Sequence, residues 1–143
     1  MDIEKELINV SHLINVSFKM LKEPKLLLSI VDKLMAISIE IIDIILKKEE
    51  TLKNVSFVPN SVDAKIALFE EKVVQRYETG RNFLKIVKIL RSLNEFCKNG
   101  IVVSKGEAIV VYSDENFSSK IISLNQVKEY FLFLKEFYEK YAK

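Results

Sequence analysis

The stretch LLLSIVDKLMAISIEIIDIIL, Leu26 to Leu46, decides how the rest of the chain is read. It is almost continuously apolar over about the twenty residues that a bilayer core requires. Asp32, Lys33, Glu40 and Asp43 interrupt it, and each would cost about 2.5–3.5 kcal/mol near a bilayer centre. The expectation is therefore a buried helix and no membrane partner. At ~100° per residue, Ser29, Asp32, Ala36, Glu40, Asp43 and Lys47 gather in one narrow polar stripe. Leu27, Ile30, Val31, Leu34, Ile37, Ile41, Ile44 and Ile45 fill the wide remainder, so the helix packs on more than one side. Pro24 suits the first turn, and the helix is predicted from about Lys25 to Glu49.

Upstream, Ile3, Leu7, Val10, Ile14, Phe18 and Leu21 recur at three- and four-residue steps and predict a first amphipathic helix. Ile8, Leu13, Val16 and Met20 lie off that stripe, and Glu23-Pro24 closes the segment. Downstream, Thr51 to Ser61 reads as a loop ending in an N-cap. A third helix carries Val62, Ile66, Phe69, Val73 and Tyr77, and Thr79-Gly80 ends or kinks it, Gly being the usual residue past a helix end. A fourth runs from about Asn82 to Lys98 with Phe83, Ile86, Val87, Leu90, Leu93 and Cys97 inward, and Asn99-Gly100 stops it.

The period then changes. Ile101-Val102-Val103 and Ala108 to Tyr112 are β-branched runs around Lys105-Gly106-Glu107, a hairpin signal. Asp114, Glu115 and Asn116 turn the chain again, and Lys120-Ile121-Ile122 has room for a third short strand. Ser123 and Gln126 are spaced as a capping box ahead of a last helix with Val127, Tyr130, Phe131, Leu134, Phe137, Tyr138 and Tyr141 on its apolar side. The predicted fold is mainly α: a four- to five-helix bundle around the second helix, with a small antiparallel β-hairpin before the C-terminal helix, in a single domain over 1–143.

Composition agrees. A chain of 143 residues with 49% hydrophobic and 29% charged side chains can bury a core and coat it. Three Gly and two Pro leave no room for a linker. One cysteine, Cys97, excludes an intramolecular disulfide and a cysteine zinc site, which suits a reducing compartment. With MDIEKEL at the start lacking a signal-peptide pattern, the expected location is cytoplasmic.

Chemistry finds few footholds. The sole histidine, His12, faces away from the first helix's apolar stripe, and no nucleophile motif accompanies it. Glu40 and Asp43, with Asp32, lack the Glu-x-x-His partners of a di-iron bundle and read as a solvated stripe. Gly80, Gly100 and Gly106 stand alone, so no phosphate loop exists. No catalytic residue, metal site or cofactor is assigned. The net charge of +2 is too small to argue for nucleic acid in bulk, but Arg81, Lys85, Lys88 and Arg91, with Arg76 nearby, form a local basic row suited to a phosphate backbone. Ile8, Val16, Met20 and Phe133 are apolar residues off the inward stripes and suit a protein interface.

FEEKVVQRY, Phe69 to Tyr77, and IVVSKGEAIVVYSDENFSSKIISLNQVKEY, Ile101 to Tyr130, resemble a group of archaeal proteins of uncharacterised activity. Those proteins pair a helical N-terminal part with a β-hairpin and closing helix, and the resemblance implies an architecture without an activity. Arg81-Asn82 also resembles the start of the Arg, polar, three-residue, His motif of ribonuclease HEPN domains, but Ile86 stands where that family has its His. The likeness thus implies at most a binding-only relative. The leading expectation is a non-enzymatic helical association module, binding a second copy or another protein. The rival is a nucleic-acid-binding or RNA-processing protein using Arg76, Arg81, Lys85, Lys88 and Arg91.

Overall fold

Burial of the isoleucine-rich run organises the chain. The computed structural model describes residues 1–21, 23–113 and 118–143. Helix α1 (Ile3–His12), a π turn (Leu13–Ser17) and α2 (Phe18–Leu21) make one rod, and α3 (Leu26–Thr51) is the long central helix. Helix α4 (Val62–Leu68) runs through a second π turn (Phe69–Val73) into a 3-10 turn (Val74–Arg76). Helix α5 (Gly80–Asn99), strands β1 (Ile101–Lys105), β2 (Ala108–Tyr112) and β3 (Ser119–Ser123), and α6 (Leu124–Tyr141) complete it. The turn expected at Asp114 to Asn116 lies outside the described residues. The chain is a five-rod helical bundle with a three-stranded antiparallel sheet before its last helix.

Helix α3 packs against α1, α4, α5 and α6, because almost every turn presents an apolar residue in each direction. Leu27, Ile30, Leu34, Ile37, Ile41, Ile42, Ile45 and Leu46 are fully buried. Ser29, Asp32, Ala36 and Lys47 stay in solvent as the polar stripe requires. Asp43 departs from it: this carboxylate is buried, held at 2.8 Å by Lys47 one turn on and at 2.8 Å by Lys65 of α4. The stripe is thus not solvated throughout, since Lys65 of α4 closes over it at Asp43. Among the described residues, no helix is long and apolar enough to cross a membrane.

The first rod is capped by Asp2, whose carboxylate accepts from the Lys5 amide at 3.2 Å, with Glu4 and Glu6 in the first turn. Ile3, Leu7, Val10, Ile14 and Phe18 are buried as their spacing predicts, but Leu21 is exposed. The π turn is the reason. It winds by less than the ~100° per residue of an α-helix, so Phe18 still reaches the core while the next step carries Leu21 off it.

The Thr79-Gly80 pair also departs from expectation. The left-handed residue is Thr79, φ 63°, and Gly80 opens α5 instead of closing the helix before it. A Cβ on Gly80 would collide with the Val74 carbonyl oxygen, so the glycine is there for close backbone approach.

In the sheet, Gly106 takes the left-handed conformation of a two-residue turn. Ile109, Val111 and Ile122 point into the core. The register Val103↔Val110↔Ile121 places the opposite face outward. Ser123 caps α6 by accepting from the Gln126 amide at 3.2 Å, but the Gln126 side chain donates to the Tyr130 hydroxyl at 2.9 Å, so only half of the capping box forms. Phe137 of α6 stacks on Phe83 of α5 at 4.1 Å, and Phe69 meets Phe83 edge-on at 5.7 Å.

Replacing Gly80 by Ala forces that backbone contact apart. Gly80→Ala is expected to lower stability by about 1–3 kcal/mol, read as a lower urea midpoint with unchanged slope.

Candidate functional site

The basic row of α5 is broken by acids. Lys88 meets Glu70 at 2.7 Å, Arg91 meets Asp63 at 2.7 Å and Glu95 at 3.6 Å, and Arg76 meets Glu49 at 3.2 Å. Arg81 and Lys85 are exposed and have no ion pair among the described residues. They border a shallow hollow of about 360 Å³ with Glu70, Leu84, Lys88 and Ile89. Of the five cations only Arg81, Lys85 and Lys88 line that hollow, and the row does not form an unbroken positive strip.

The apolar residues sort differently. Ile8, Val16 and Met20 are 69%, 39% and 77% exposed, all on the outer side of the first rod. Phe133 is instead half-buried, its ring 6.3 Å from that of Phe137, and its neighbour Leu132 is the exposed one. The aromatic ladder of α6 turns Phe133 inward, so it does not project as a free anchor. Beside the first rod runs a groove of about 580 Å³ between α1 and α6, with Leu7, Ile8, Val16 and Phe131 among its lining residues. His12 is exposed on its edge, and Ser17 lies 3.3 Å from its Nδ1. Residues five apart align only in a π turn, which is why this pair meets.

A second apolar surface was not legible as such in the sequence. Ile101, Val103, Tyr112 and Ile121 are exposed together on the outer face of the sheet. An antiparallel sheet with one wet face ordinarily alternates apolar and polar residues. The continuous runs at Ile101 to Val103 and Ala108 to Tyr112 lack that alternation, and this is the signal for two apolar faces.

The strongest polar cluster centres on Glu49. Its side chain is 3% exposed and accepts from the Asn54 amide at 2.6 Å, the Tyr77 hydroxyl at 2.8 Å and the Arg76 guanidinium. Local structure builds the site: the Lys53 amide donates to the Glu50 carbonyl and the Asn54 amide to that of Glu49, with Lys53 at φ 64°, the Schellman close of α3. That turn aims Asn54 back at the carboxylate. Spacing marks Glu49 in the sequence, since it follows Ile42, Ile45 and Leu46 by seven, four and three residues on an apolar face.

Burial pushes the Glu49 carboxyl up, but the Tyr77, Asn54 and Arg76 contacts outweigh it and hold it below the usual value. Asp43 follows the same pattern, burial being outweighed by Lys47 and Lys65. Burial and the Glu49 charge push the Tyr77 phenol well up, so it stays a donor. Cys97 is half-buried, and burial raises its thiol against the pull of Lys120, which disfavours the thiolate. Among the described residues no three His, Cys, Asp or Glu side chains are grouped to hold a metal. No protein family, curated protein or solved structure matches the chain.

A carboxylate whose folded pKa is depressed stabilises the fold above its unfolded value, and that contribution fades as pH falls through the folded one. Glu49→Gln should therefore lose about 1–3 kcal/mol at neutral pH. In urea titrations its deficit against the parent chain should narrow once pH drops below ~4.3.

Proposed function

We propose that this protein is a non-enzymatic helical module that works by association, with a second copy or with another protein. The observation that carries the reading is the outer side of the first rod, where Ile8, Val16, Met20 and Leu21 stand in solvent next to the α1–α6 groove. Scattered single apolar residues on a surface need no explanation; a row of them beside a groove that Leu7 and Phe131 also line does. Ile101, Val103, Tyr112 and Ile121 on the sheet add a second such surface. Removing these faces from water is worth roughly 25 cal/mol per Å² of apolar area, which favours a covered state. Size-exclusion with light scattering at high micromolar concentration is expected to give a complex or a dimer. A strict monomer that co-purifies with nothing would count against association.

A second reading, nucleic-acid binding, draws on Arg81 and Lys85 beside their hollow. Since Arg76, Lys88 and Arg91 already face carboxylates, any binding should release few counterions. The plot of log affinity against log salt is expected to have a slope no steeper than about −2, at ~0.9 per neutralised phosphate. Arg81→Glu with Lys85→Glu should abolish it; binding indifferent to both reversals retires this reading.

A further inference from the structure

We propose that the α1–α6 groove is filled by the first rod of a second copy, the two rods lying antiparallel about His12 in a two-fold dimer. This rests on the association reading above and commits it to one partner. The groove's lining on the first rod extends from Glu4 to Val16, about 18 Å at ~1.5 Å per residue. That is a wall about three helical turns long. Leu7, Ile8, Val16 and Phe131 give its lining an apolar part beside the uncharged Ser11 and Asn15, and Glu4 and Glu139 stand against Lys135 and Lys143. Two charges of each sign cancel, so neither a polyanion nor an acidic surface is favoured. Nor is there a buried, unpaired polar side chain among the described residues to orient a small polar ligand.

The exposed face of the first rod has the matching pattern. Glu4 lies near one end and Lys19 near the other, with Ile8, Val16 and Met20 between or beside them. Turned antiparallel about His12, Glu4 comes beside the second copy's Lys19, and Ile8 comes opposite the second copy's Val16. Because the arrangement is two-fold, each contact is made twice. Among the described residues Glu4 has one ion pair, at 3.6 Å with Lys143, both side chains more than half exposed, and Lys19 has none. Both are therefore available to a partner.

The test uses the full chain carrying Cys97→Ser. His12→Cys in this background should form a disulfide-linked dimer under mild oxidation, whereas Ile121→Cys on the sheet face should stay monomeric on a non-reducing gel. In light scattering, Glu4→Lys should weaken the dimer several-fold, and Glu4→Lys with Lys19→Glu should restore it. Restoration discriminates, because Lys19→Glu does not rebuild the Glu4–Lys143 pair within the chain. Circular dichroism of each exposed-site variant checks that the helices are intact. A dimer that cross-links through Ile121 and not His12 overturns this groove assignment and leaves association standing. A monomer that co-purifies with a different protein overturns the second-copy partner alone, and a monomer that binds nothing overturns both.

Discussion

Every other part of the molecule depends on taking α3 out of water. Its isoleucines and leucines each contribute about 1.5–3 kcal/mol when fully buried, and they project in all directions except the narrow strip of Ser29, Asp32 and Ala36. One neighbouring helix could not cover such a surface. The chain answers with α1, α4, α5 and α6 around it, and the sheet closes part of the same core through Ile109, Val111 and Ile122. The α1–α6 groove and the hollow beside Arg81 and Lys85 both lie at the surface, away from α3.

Apolar burial has no preferred direction, so something else must set how the later segments seat against α3. Two carboxylates in its second half do this. Asp43 binds Lys65 of α4, and Glu49 binds Arg76 and Tyr77 from the 3-10 turn and the residue after it. Tyr77 in turn meets Tyr141 of α6 edge-on at 5.0 Å. Contacts therefore run from Glu49, in the last turn of α3, through Tyr77 to the last turn of the final helix. Each member has its partners, and no buried side-chain polar atom among the described residues goes unpaired.

The helices, the hairpin and the central place of α3 were legible because apolar spacing reports secondary structure directly. Ser61 and Ser123 were legible as caps through side-chain chemistry alone. What escaped depended on neighbours that spacing cannot name. Asp43 looks like a surface residue until Lys65 arrives from another helix, and Phe133 looks free until Phe137 turns it inward. The basic row was visible on α5, as were Glu70 and Glu95 as acids able to interrupt it; Asp63, 28 residues before its partner Arg91, was not. Leu21 and Gly80 failed for a backbone reason, since a π turn and a left-handed threonine shift the geometry without leaving a residue signature. The apolar outer side of the first rod, by contrast, follows from Ile8, Val16 and Met20 lying off the stripe.

The π turn at Leu13–Ser17 also bears on which length changes the chain tolerates. A wider turn of this kind is an α-helical turn that has taken in one additional residue while the helix beyond keeps its heading. Losing a residue at Asn15 or Val16 would return the rod to ordinary winding and leave Phe18 facing inward. The same deletion at Ser11, one turn earlier in regular helix, would swing everything after it by ~100°. The first rod thus has a built-in expansion joint, and evolutionary shortening of the N-terminal segment has its easiest route there.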